Sequence, residues 1–177
     1  SRVFEEVFIR SDMPYRVVGG VRFYERKEIR DALAYLRILA NPQDEVSLRR
    51  ILNVPKRGIG DKAQEAVETL SRRERITFWE ALRRCDEAPG LATRSRTQMQ
   101  AFVELLDVLQ ILVESQTPPA EILEAVLDQT GYLSELRTSL DPQDETRIEN
   151  LAELEAVARE FEETASQNDE PATLFEF

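Results

Sequence analysis

Ile51-Leu-Asn-Val-Pro-Lys-Arg-Gly-Ile-Gly-Asp-Lys-Ala63 ends one helix at Val54-Pro55, turns through Gly-Ile-Gly and opens another helix on alanine. Proline removes a backbone donor and drives the residue before it out of the helical region, so the break falls at Val54. Gly58 and Gly60 can take backbone angles closed to other residues and leave no side chain in the way of a close partner. Ile59 between them is expected to pin the turn to a core. The turn exposes the unpaired N–H groups of the following helix, which together with the positive end of the helix dipole suit a phosphate oxygen. Lys56, Arg57 and Lys62 add full charges beside it, and Asp61 is expected to cap the helix beside a phosphate. Such a grip positions a protein on DNA without reading bases. The competing reading is a plain helix–turn–helix corner, with glycines that only relieve sterics and cations that are solvated.

The pattern on either side is helical. Upstream, Ile29, Leu33, Leu36 and Ala40 recur at helical spacing, and Asn41-Pro42 predicts a stop and a fresh start for a helix carrying Val46 and Ile51 inward. Downstream, Ala63, Ala66, Val67 and Leu70 form one face, and Thr77-Phe-Trp-Glu80 has the spacing of a capping box. After a loop over 86–93, Thr93 begins the longest apolar pattern, from Met99 through Phe102, Leu105, Leu106, Leu109 and Leu112 to Val113, read as the central core helix. Ile122, Val126 and Leu127 continue to Gly131, a helix-ending residue, and Tyr132, Leu133 and Leu136 make a short piece. Asp141-Pro142 caps a last long helix with Ile148, Leu151, Leu154, Ala158 and Phe161 inward, before a polar linker over 164–171 and an apolar cluster of Leu174, Phe175 and Phe177. Only Tyr15–Val18, Gly19-Gly20 and Val21–Tyr24 look strand-like, as a hairpin or a lone edge strand. The expected fold is all-α: a compact domain of helix–turn–helix pairs with a short N-terminal β-like segment.

At 177 residues the chain can bury a substantial core without disulfides or metals. With no His and one Cys it excludes a conventional zinc site, a Ser-His-Asp triad and a Cys-His dyad within itself. No apolar run approaches membrane-spanning length and the first residues lack a signal-peptide pattern, so a cytoplasmic location is expected. The net charge of −11 argues against a general nucleic-acid binder, but the charge is uneven. Arg49, Arg50, Lys56, Arg57 and Lys62 face Asp61 alone in 49–62, whereas 141–177 sets twelve acids against Arg147 and Arg159. A small basic site on an acidic body engages phosphates weakly and with strong salt dependence.

Cys85, between Arg83-Arg84 and Asp86-Glu87, is expected at an exposed corner. It reads either as a reduced thiol with no task or as a thiol poised for an intermolecular disulfide, which makes the alternative function a redox-dependent self-association or protein-interaction module. Trp79 reads as core, and Arg94, Arg96 and the Glu162-Glu163 pair as solvated.

Three stretches together resemble the UvrD/PcrA/Rep family of superfamily 1 DNA helicases, and within it the subdomain called 2B. They are Pro14–Arg37 (PYRVVGGVRFYERKEIRDALAYLR), Asn53–Gly60 (NVPKRGIG) and Glu145–Leu154 (ETRIENLAEL), in register over nearly the whole chain. The resemblance implies that residues 1–18 end lobe 2A, that 19–167 form 2B and that 168–177 lead back toward 2A. It implies a duplex-contacting and regulatory arm of an ATP-dependent helicase of DNA repair, with Lys56, Arg57, Gly58, Ile59 and Gly60, and less directly Asp61 and Lys62, as the DNA-contacting residues. The expected partners are duplex or forked DNA and the motor lobes, with a homodimer through Cys85 as a further partner and no membrane. ATP and Mg belong to the parent helicase. This stretch itself has no Gly-x-x-x-x-Gly-Lys-Ser/Thr loop, so it is expected to bind no cofactor and to be no enzyme alone.

Overall fold

The computed structural model describes residues 21–177. Nine α-helices follow one another there: α1 (Val21–Glu25), α2 (Lys27–Ala40), α3 (Glu45–Ile51), α4 (Asp61–Glu74), α5 (Phe78–Arg83), α6 (Thr93–Glu114), α7 (Pro119–Gln129), α8 (Tyr132–Thr138) and α9 (Pro142–Gln167). A 3-10 turn, Cys85–Glu87, follows α5. No strand occurs among the described residues, as an all-α reading requires. The proposed strand Tyr15–Val18 lies outside them, and its partner Val21–Tyr24 is helical. Phe23 and Tyr24 show why: both are buried, with their rings edge to face at 5.2 Å. Consecutive residues on a strand point to opposite faces, whereas on a helix they share a broad apolar face.

The core is organised around α2. Ten of its residues are buried, among them Ile29, Leu33, Tyr35, Leu36 and Leu39, and the helix packs against α1, α3, α6, α7 and α9. The long α6 was expected to hold that place. It buries Met99, Phe102, Val103, Leu106, Leu109 and Val113 on one side, but Val108 and Ile111 stand largely exposed on the other. The reversal comes from Glu28 and Asp31, which are buried in α2 with polar partners. A periodicity count reads such acids as an outer face and so makes α2 look half-exposed.

Local chemistry sets the helix ends. Asn41 does not start α3: its carboxamide oxygen accepts from Gln43 N at 3.1 Å, closing a short turn. Asp44 is the N-cap, accepting from Ser47 N at 3.2 Å and from Ser47 Oγ at 2.9 Å. Val46, expected inward, is 83% exposed, because five residues before Ile51 is about 140° round the helix from the face that Leu48 and Ile51 bury. Asp141 caps α9 as its sequence foretells, accepting from Gln143 N at 3.0 Å. Glu162 is not merely solvated, because it accepts from Ala120 N at 2.7 Å and so caps α7 across the bundle. Residues 164–167 continue α9 instead of forming a linker, with Ala165 buried, and Leu174 and Phe177 fold back so that Phe177 meets Phe161 at 5.4 Å.

Thr77 caps α5, its hydroxyl accepting from Glu80 N at 3.2 Å. The Thr77→Ala variant is expected to lose about 1 kcal/mol of stability, the usual cost of an unsatisfied first turn. In urea unfolding this reads as a lower midpoint with an unchanged slope; an unmoved midpoint would show the cap to be idle.

Candidate nucleic-acid interface

Between α3 and α4 the chain alternates its sides. Ile59 is fully buried and Arg57 half-buried, while Lys56, Gly58, Gly60, Asp61 and Lys62 are exposed. A cis peptide bond joins Val54 to Pro55 at the start of the turn. Gly58 has φ +79, a left-handed angle that favours glycine, and a Cβ there would meet only Gln98 Cγ, at 3.7 Å. Gly60 has an ordinary φ of −81, and a Cβ on it would meet no heavy atom within 4 Å. The fold therefore demands glycine at 58 by conformation and makes no demand at 60, where the missing side chain leaves the helix start open.

Gly60 is the N-cap of α4 and offers no side-chain cap; the first helical bond runs from Gln64 N to Gly60 O at 3.1 Å. The N–H groups of the first turn are thus left to solvent or a ligand. Asp61, expected to cap, is instead the first helical residue, where its carboxylate suits the dipole but opposes an incoming anion.

The inner side of the turn is tied down by polar groups. Asn53 Oδ1 accepts from Arg57 N at 2.8 Å and from Ile59 N at 3.2 Å, and Gln64 Nε2 donates to Ile59 O at 3.2 Å. The Arg57 guanidinium turns inward: Nη1 donates to Ile51 O at 2.6 Å and Leu52 O at 2.8 Å, and Nη2 to the Tyr35 hydroxyl at 2.6 Å and Val54 O at 3.4 Å. Its central carbon lies 4.7 Å from the centre of the Phe102 ring. Tyr35 also donates to Val54 O. Burial pushes the Tyr35 phenol above its ordinary pKa, partly offset by the Arg57 charge.

The basic segment is accordingly less basic outside than its sequence implies. Arg49 stacks 4.2 Å over the Phe78 ring and lies 3.6 Å from both Glu45 and Glu68. Arg50 donates to the buried Asp31 at 2.9 Å. Lys56 and Lys62 remain exposed, Lys56 ahead of the two glycines and Lys62 in the first turn of α4. No sequence signal singled out Asn53 or Tyr35, because a lone Asn and a Tyr within an apolar stripe carry no spacing that marks them.

Cys85 corrects a further expectation. It is 1% exposed instead of occupying an open corner, and burial together with Asp86 pushes its thiol pKa up. The 3-10 turn that carries it packs against α4 and α6, and the neighbouring arginines are engaged elsewhere: Arg83 with Asp107, and Arg84 with Glu87 at 2.8 Å. A disulfide to a second molecule would require this corner to open.

An all-α domain whose turn carries exposed lysines beside an uncapped helix start is a class of fold suited to holding a phosphate backbone. Over residues 1–177 the chain matches the UvrD-like helicase C-terminal domain, and it belongs to that family. It is 51% identical over 163 residues to the ATP-dependent DNA helicase UvrD1 of Mycobacterium tuberculosis, covering 91% of this chain and 21% of that protein. It is 39% identical over 175 residues to DNA helicase II of Escherichia coli, covering 98% and 24%, and 40% identical over 165 residues to the ATP-dependent DNA helicase PcrA of Staphylococcus epidermidis, covering 92% and 22%. The chain thus spans less than a quarter of the length of each of these relatives. No helix of the described residues is long and apolar enough to cross a membrane.

Proposed function

We propose that this chain is the 2B subdomain of an ATP-dependent DNA helicase of DNA repair and that it contacts duplex DNA through the turn Lys56–Lys62. The observation that carries the reading is the open, uncapped start of α4 at Gly60, flanked by the exposed Lys56 and Lys62. Neutral N–H groups fix a phosphate oxygen in place and the two lysines supply its counter-charge. Because these contacts read no base edge, the grip is indifferent to sequence. The motor lobes of the longer protein are the other partner, and ATP and Mg are held there.

The test is fluorescence polarisation of a labelled duplex–single-strand junction titrated across a salt series. Wild type is expected to bind at low salt and release as salt rises. The Lys56→Ala/Lys62→Ala variant should weaken binding and flatten the dependence of log K on log salt by about 2, since each neutralised phosphate contributes roughly 0.9. Gly60→Ser should move stability and binding in opposite directions: serine is the better N-cap, so stability holds or rises by a few tenths of a kcal/mol, while its hydroxyl occupies the N–H groups and DNA affinity falls. Absence of binding at every salt concentration, or binding untouched by these changes, overturns the reading.

A further inference from the structure

Arg57 has the wrong surroundings for a phosphate ligand. A guanidinium carries five N–H donors, and the four on Nη1 and Nη2 are directed at Ile51 O, Leu52 O, the Tyr35 hydroxyl and Val54 O. Only the Nε donor is left over. Ile51 O and Leu52 O close α3, where the dipole is negative, and Val54 O follows two residues on. Ile51 O has one backbone donor, Val54 N at 3.0 Å, and a planar cation with paired donors suits the rest of the cluster. Phe102 closes one face of the guanidinium, and Tyr35, 1% exposed on the central helix, fixes its edge. The same residue's backbone N–H, with that of Ile59, is held by Asn53.

We infer that Arg57 and Tyr35 are positioning residues of the DNA contact: the clamp they form with the end of α3 sets where the outward N–H groups of the turn stand, and Arg57 touches no phosphate itself. This rests on the duplex-contact reading above and adds to it a division of labour. Lys56, Lys62 and the backbone hold DNA, while Arg57 and Tyr35 hold the turn. The anchor runs through α2, so the site's geometry is referred to the centre of the bundle and not to the flanking loop.

The two roles differ in what charge and shape do. If Arg57 were a phosphate ligand, Arg57→Lys would keep the charge and most of the affinity, Tyr35→Phe would be silent, and Arg57→Ala would flatten the salt dependence by about 1. A clamp gives the opposite pattern. Arg57→Lys and Tyr35→Phe are each expected to lower affinity for the junction about tenfold, the worth of one or two displaced hydrogen bonds, with the salt dependence unchanged because the same lysines still meet phosphates. Amide hydrogen exchange on the free protein supplies a readout that general destabilisation would not mimic. Exchange should quicken at Arg57 and Ile59 in both variants and stay as in wild type along α7 and α9.

Titrations are run well below each variant's melting temperature, and Tyr35→Phe, which deletes a single oxygen, carries the test should Arg57→Lys fail to fold. Unchanged affinity in a folded Tyr35→Phe, or an Arg57→Lys that binds like wild type, overturns the clamp. The Lys56→Ala/Lys62→Ala variant separates the two levels. If it too binds like wild type, the duplex-contact reading has failed; if it alone is defective, only the clamp has.

Discussion

Replacing Asp31 with alanine is expected to remove about 1–3 kcal/mol of folding stability, the cost of leaving a buried hydrogen-bond partner unsatisfied. Asp31 is 2% exposed on the central helix, and its carboxylate accepts from Arg50 Nε at 2.9 Å and from the Tyr132 hydroxyl at 2.7 Å, with Lys27 Nζ at 3.2 Å. It therefore joins three helices, α2, α3 and α8, at one atom pair. Lys27 is 65% exposed and contributes little. The loss comes mainly from the buried Tyr132, whose hydroxyl would be left without its acceptor, while Arg50, 28% exposed, can turn part of its guanidinium to solvent. Tyr132 shows how closely the two are matched, since burial and the hydrogen bond to Asp31 drive its phenol far above the ordinary pKa. Asp31→Asn, which keeps the shape and one acceptor, should fall between wild type and alanine. Chemical unfolding at neutral pH measures both; a loss below 1 kcal/mol for the alanine variant would show that solvent reaches the cluster.

The second large effect joins the core to the interface. Phe102→Ala is expected to cost about 3–5 kcal/mol, because the ring is 1% exposed and its loss leaves a cavity that the helices around it cannot close. For a chain of this size that corresponds to a fall in Tm of roughly 2–4 °C per kcal/mol. Phe102 also closes one face of the Arg57 guanidinium, so its removal should loosen the turn as well. Leu109→Ala is the control, being fully buried on the same helix seven residues further along. Both variants should melt early in calorimetry, but in titrations at a temperature where each is folded only Phe102→Ala should bind the duplex–single-strand junction more weakly. Equal binding would confine Phe102 to packing.

Much of the fold was legible because helices announce their ends with particular side chains. Thr77, Asp141-Pro142 and Gly131 did so, and the helices they bound stand where those residues place them. Asn41-Pro42 misled because an Asn that closes a turn on the residue two ahead looks, in sequence, like an Asn that caps a helix; Asp44 and Ser47 settle the matter by bonding to each other. Val46 was misplaced because it stands five residues from Ile51 and so off the face that Ile51 and Leu48 share. Cys85 looked exposed because charged neighbours flank it in sequence, yet a 3-10 turn directs those neighbours outward and the thiol inward.

The turn shows the same division. That residues 51–63 break one helix and begin another on glycine follows from proline and glycine chemistry alone, and so does the burial of Ile59 between two small residues. The destination of the cations does not. Arg49, Arg50 and Arg57 are as basic as Lys56 and Lys62 in any count of charge, and their partners, Glu68, Asp31 and Tyr35, lie on other helices. Local chemistry determines where a helix starts because the groups involved are within a few residues of one another. Which cation faces solvent is decided only when distant helices bring an acid, a phenol or an uncapped carbonyl within reach, and at this turn that packing leaves two lysines and an open helix start facing outward.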